Sequence, residues 1–134
     1  MLKRFLIALM CALLTCSLCA LAESTPDVDL TALNPTEAVD ALFALADAPE
    51  DNQGKTVRLT GYVNASSWDG EVTYLLLSDP ASCCVRPVEF VPATASDAPD
   101  ALAGGDQLVT LQGVVEIFND YGYDDVRLID ATIL

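Results

Sequence analysis

The 134-residue chain contains no histidine. That removes the commonest general base and the commonest metal ligand, and with them any Ser–His–Asp arrangement. No glycine-rich loop of the phosphate-cradling kind occurs either. Positive charge is scarce: six Lys and Arg stand against 20 Asp and Glu, a formal charge of −14. A surface of that sign repels phosphate backbones and anionic lipid headgroups, which argues against nucleic acid as a partner and against direct membrane insertion. No apolar run reaches the ~20 residues that a membrane-spanning helix needs.

The first 22 residues read as a secretory signal peptide. Lys3 and Arg4 precede an apolar stretch over 5–18, and Ala20-Leu21-Ala22 places small residues where signal peptidase selects them. Cleavage is expected after Ala22, which makes the product secreted or otherwise extracytoplasmic. An uncleaved anchor and lipidation at Cys16 are the alternatives, although Thr15 suits a lipidated cysteine poorly. Beyond the leader, 20 acids face only Lys55, Arg58, Arg86 and Arg127, a formal charge of −16. Recurrent runs of Val, Leu, Ile, Tyr and Phe still supply enough apolar surface for one core, against the disorder that high charge favours.

Residues 23–33 are acidic and polar and read as a flexible tether, leaving 34–134 as the folded domain. Asn34 or Thr36 caps a helix, with Pro35 at its start and Glu37 in its first turn. Val39, Leu42, Phe43 and Ala46 form its apolar stripe, and Pro49 ends it. From Lys55 the period changes to two. Val57, Leu59, Gly61 and Val63 alternate with polar neighbours, and Gly61 marks a bulge or bend. Further strands are expected over 71–79, over 84–91 (edge-like, because of Pro87), over 106–118 and over 123–134. A short helix is expected around 99–103, and a hairpin turn at 119–122. The mid-strand glycines of LTGYV and LQGVV suit a sheet that coils sharply. The expected fold class is mostly β: a five-stranded OB-like Greek-key barrel preceded by one short helix.

The most unusual local feature is the adjacent pair Cys83-Cys84. The two sulfurs could serve as small apolar residues at the barrel end, form a strained and reducible vicinal disulfide, or hold a soft metal such as zinc. Zinc wants three or four protein ligands, and without histidine Asp79 and Glu89 are the nearest candidates. The acids around Asn119-Asp120-Tyr121-Gly122 do not follow an EF-hand pattern and read as a solvated turn. Trp68, Tyr74, Tyr121 and Tyr123 are candidates to line a ligand groove, with rim or core packing as the alternative.

The stretch Gly54-Lys55-Thr56-Val57-Arg58-Leu59-Thr60-Gly61-Tyr62-Val63, then the Cys83-Cys84 pair, then Leu111-Gln112-Gly113-Val114-Val115, resembles the C-terminal domain of YcgQ-type proteins of Gram-positive bacteria. These are membrane-associated, uncharacterised, and usually paired with a predicted permease. The resemblance spans about residues 34–134 and implies an OB-type fold with an accessory role beside a transporter. In place of that family's N-terminal transmembrane helices stands the leader. Val85-Arg86-Pro87 replaces the acid usual after its cysteine pair. The function expected is an exported, non-enzymatic binding or accessory module for a protein or small ligand. A metal-handling or thiol-redox module built on Cys83-Cys84 is the alternative.

Overall fold

The structure is a computed structural model that describes residues 25–68, 71–77, 86–98, 107–120 and 122–134. The leader, the expected helix at 99–103, and residues Asp79, Cys83, Cys84 and Tyr121 lie outside the described residues, as does the side chain of Trp68. The domain is mostly β, with six strands and two short helices among the described residues.

The first element was not expected. Within the stretch read as a tether, Val28–Asp29 forms a short strand, β1, parallel to the strand that begins at Thr56. Leu30 follows it into the core, only 5% exposed. Asp27 accepts a bond from the Thr56 amide, and Asp29 accepts two from Thr31. Two paired residues are too few to register as a period, so the polar composition concealed the strand.

Helix α1, Pro35–Asp47, starts where its signals place it. The Glu37 amide donates to Asn34 Oδ1 and the Asn34 amide donates to Glu37 Oε2, a reciprocal capping box. Its buried face is Val39, Leu42 and Leu45; Phe43 is exposed, so Leu45 takes the place in the stripe expected of Phe43. Pro49 does not simply end the helix but opens a second one, α2, Pro49–Asn52, as proline can at a first helical position. Asn52 reaches back and donates to the carbonyls of Leu45 and Ala48, satisfying the end of α1 that no glycine caps.

Five long strands follow: β2 (Thr56–Trp68), β3 (Glu71–Leu77), β4 (Pro87–Pro92), β5 (Leu108–Asp120) and β6 (Tyr123–Ile133). β2 pairs antiparallel with β3, β3 with β4, β6 with β5, and β5 back to β2, while β4 and β6 run parallel. Each of the five therefore has two neighbours, and β1 is added beside β2. This corrects the expectation that β4 is an edge. Pro87 stands at its first residue and Pro92 at a register shift, positions where a missing amide does not break a ladder.

β2 serves two partners in succession. Residues up to Tyr62 pair with β5 and residues from Tyr62 onward pair with β3. Gly61 sits at the handover, where a Cβ would stand 2.6 Å from the Leu77 carbonyl oxygen. The second irregularity is in β6. Its register slips by one residue against both β5 (between Gln112 and Val114) and β4 (between Phe90 and Pro92). One extra residue explains both slips: Asp130, whose φ of 50° lies in the left-handed region. It is a bulge that bends β6. The inward residues Leu59, Leu76, Phe90, Leu111 and Leu128 form one core, which Leu42 and Leu45 of α1 join.

Candidate functional site

Of the expected metal ligands, Asp79, Cys83, Cys84 and Glu89, only Glu89 lies among the described residues. Glu89 lies on the outward face of β4, between buried Val88 and Phe90. Its carboxylate is committed to Arg127, 3.5 Å away, and Arg127 also donates to Glu116 at 2.7 Å through Nε. Glu89, Arg127 and Glu116 are successive Cα partners, so the ion pairs run as one rung across β4, β6 and β5, with Leu75 of β3 next in line. The hydrogen bond to Glu116 holds the guanidinium above its ordinary pKa, helped by Glu89 and opposed by partial burial. The Phe118 ring lies under the same group, 5.3 Å from its carbon.

Arg86, two residues after the cysteine pair, bonds Asp125 at 2.6 Å and lies over the Phe43 ring of α1. Lys55 donates to Asn52, and Arg58 donates to Gln112 through two nitrogens. All four cations outside the leader thus have partners within the fold. The surface left to solvent carries the excess of carboxylate. No group of described His, Cys, Asp or Glu residues is arranged to hold a metal ion.

Of the candidate groove residues, the side chains of Tyr74 and Tyr123 are described. Tyr74 points inward and packs against Phe90, with ring centroids 5.5 Å apart. Tyr123 is 79% exposed at the start of β6. β3 is antiparallel to β4 and β6 is parallel to it, so the β2–β3 turn and the β5–β6 turn stand at opposite ends of β4. Trp68 ends β2 at one of these turns and Tyr123 opens β6 at the other. Register leaves only two residues, 121 and 122, in the second turn. Gly122 takes φ 94° and its amide donates to Asn119 Oδ1, while Asn119 Nδ2 donates to Asp124. The polar groups of that tip serve the turn itself.

Between the two turns, the outward face of β3 and β4 presents Thr73, Leu75 and Val91 around the Glu89–Arg127 pair. Elsewhere on the surface, Glu37, Asp40 and Asp47 on α1 and Glu50 and Asp51 on α2 are exposed.

A cleft of about 370 Å³ between α1 and β2 has no counterpart among the expected sites. β1 covers β2 at Val57 and Arg58, and β3 takes over only at Tyr62. Leu59 and Thr60 line the cleft in the interval, with Pro35, Ala38 and Leu42 of α1 opposite. Leu33 and Leu108 form its rim and remain 39% and 57% exposed. It exists because β1 fixes residues 30–34 against β2, a contact invisible in composition.

Comparison of the chain with protein-family profiles, with curated proteins and with solved structures gives no match.

Proposed function

We propose that this chain is an exported, non-enzymatic binding module built on an OB-type barrel, acting as an accessory to a membrane protein such as a permease. One observation carries the reading: the cyclic strand order β2–β3–β4–β6–β5, with only the β4–β6 pair parallel. An OB barrel uses the outer face of its second and third strands, flanked by the first-second and fourth-fifth loops, to bind ligands. Those strands correspond to β3 and β4, and those loops to the two turns at opposite ends of that face. The β1 strand and the helices are additions at the N-terminal side of the barrel.

The character of the face favours a protein partner. Thr73, Leu75 and Val91 stand beside Glu89, which shares the single cation Arg127 with Glu116, so apolar surface adjoins a set with one negative charge in excess. Apolar surface beside polar groups is the usual build of a protein interface, and the negative charge of this set and of the whole chain selects a partner with basic residues around its own contact surface. The leader and the resemblance to permease-associated domains support an extracytoplasmic setting.

A photo-crosslinking residue at Val91, compared with one at Asp40 on α1, tests this in cells expressing the full chain. A single membrane-protein adduct from Val91 and none from Asp40 is expected. No adduct, or equal adducts from both positions, overturns the reading.

A further inference from the structure

We propose that the cleft between α1 and β2 is a binding site for a small, uncharged, largely apolar molecule carrying a hydrogen-bond donor. Its volume of about 370 Å³ is within the range of small-ligand pockets, which are mostly apolar with a few placed polar groups. The site is independent of the β3–β4 face, which lies beyond the handover at Tyr62.

Three features select the ligand. The first is charge. In a chain with 20 acids, none of the residues lining this cleft is an Asp, Glu, Lys or Arg. A cation finds stronger attraction elsewhere on the surface, and an anion is repelled by the molecule as a whole. The second is the arrangement of hydroxyls. Thr31 Oγ1 donates its proton to Asp29 at 2.6 Å, so toward the cleft its oxygen can only accept. Asp29 stays ionised to unusually low pH because of that bond, which keeps the polarity fixed. Thr60 shares a hydrogen bond with Thr110 at 2.9 Å, and Tyr62 adds a phenol. A ligand with an O–H or N–H meets an acceptor at Thr31. The third is the rim. Leu33 and Leu108 expose apolar surface that an occupant would remove from water, a favourable change. The small side chain of Ala38 leaves the far wall open.

A matched pair of probes tests the proposal on protein purified from cells expressing the full chain. N-phenylnaphthylamine is uncharged, aromatic and bears one N–H; anilinonaphthalene sulfonate adds a negative charge to nearly the same frame. Fluorescence titration should show saturable binding of the neutral probe at one per chain, and at least tenfold weaker binding of the sulfonate. Leu108→Asp puts a charge on an exposed rim position, where folding should be unaffected. Ala38→Phe fills the cleft from the helix side. Each should weaken the neutral probe at least tenfold, while Val72→Asp, at another exposed apolar position, should leave binding unchanged. The proposal is overturned by non-saturable binding, by equal affinity for the two probes, or by full affinity in both Leu108→Asp and Ala38→Phe. It is also overturned if light scattering shows a dimer that Leu108→Asp dissociates, since the rim would then be covered by a second copy.

Discussion

Gly61→Ala should be the most informative single substitution in this chain. A Cβ at Gly61 would lie 2.6 Å from the Leu77 carbonyl oxygen and 2.9 Å from Leu76 Cγ. Ordinary contact begins at 3.4 Å, so the β3 backbone would have to retreat by 3.4 − 2.6, or 0.8 Å. That movement falls beside the Tyr62–Leu77 rung, where β2 leaves β5 and joins β3. Overpacking of this kind costs about 1–3 kcal/mol. Removing a glycine from the unfolded chain returns about 0.4–1 kcal/mol. A net loss of roughly 1–2 kcal/mol remains, and at about 4–8 °C per kcal/mol the melting temperature should fall by about 4–16 °C. Gly113→Ala is the internal comparison. Its new Cβ would meet Leu128 Cβ at 3.0 Å and the Ile129 carbonyl at 3.1 Å, a clash relieved by a few tenths of an ångström. The bulge at Asp130 gives that neighbourhood room to adjust, so the loss should be under about 1 kcal/mol. Urea unfolding followed by circular dichroism measures both. A Gly61→Ala midpoint equal to that of the unsubstituted chain, or a larger loss from Gly113→Ala, would refute the packing argument at the handover.

The other predictions concern the bulge, the ion-pair rung and the β1 attachment. Asp130→Gly removes the cost of placing a side-chain-bearing residue at φ 50° and should stabilise the fold by up to about 1 kcal/mol, whereas Asp130→Val should destabilise it by more than that; thermal melts decide the order. Arg127→Gln leaves Glu89 and Glu116 flanking a neutral side chain and should cost about 1 kcal/mol at low salt. That cost should shrink in 1 M salt and be partly recovered by adding Glu89→Gln; a salt-independent loss would show that the guanidinium acts through packing. Asp29 has its pKa lowered, first by the Thr31 hydroxyl, then by the Thr31 amide. Its contribution is therefore present above the unfolded-state pKa and is lost as pH falls through the lower folded-state value. The Thr31 amide resonance should titrate with a midpoint below the usual carboxylate range, and a midpoint at or above that range would contradict the hydrogen-bonded geometry.

Much of the fold was legible in local signals. Asn34 and Glu37 announce a capping box, and the alternation of Val57, Leu59, Gly61 and Val63 announces a strand with one buried face, because both patterns repeat a period that water and core enforce. What escaped was carried by contacts distant in sequence. β1 depends on a two-residue pairing across nearly thirty positions. The role of Asn52 depends on carbonyls of a helix already ended. Pro87 makes β4 read as an edge, yet neighbours on both sides bury Val88 and Phe90. The site was less legible than the fold. Glu89 as an acid near cysteines suggested a ligand, but only the register shows Arg127 one strand away holding it. Tyr74 and Tyr123 share a residue type, and topology sends one to the core and the other to solvent. The cleft beside Leu108 has no signature along the chain, since its walls come from three separate segments.

Ring closure is the claim on which the binding face, the handover at Gly61 and the reading of β4 all depend. Cross-strand nuclear Overhauser contacts measure it directly. The account predicts contacts joining Arg58 to Gln112 and Thr60 to Thr110, together with parallel-pattern contacts joining Glu89 to Arg127, in one and the same sample. If the β2–β5 contacts are absent, or if β4 and β6 give an antiparallel pattern, the strands do not close in this order.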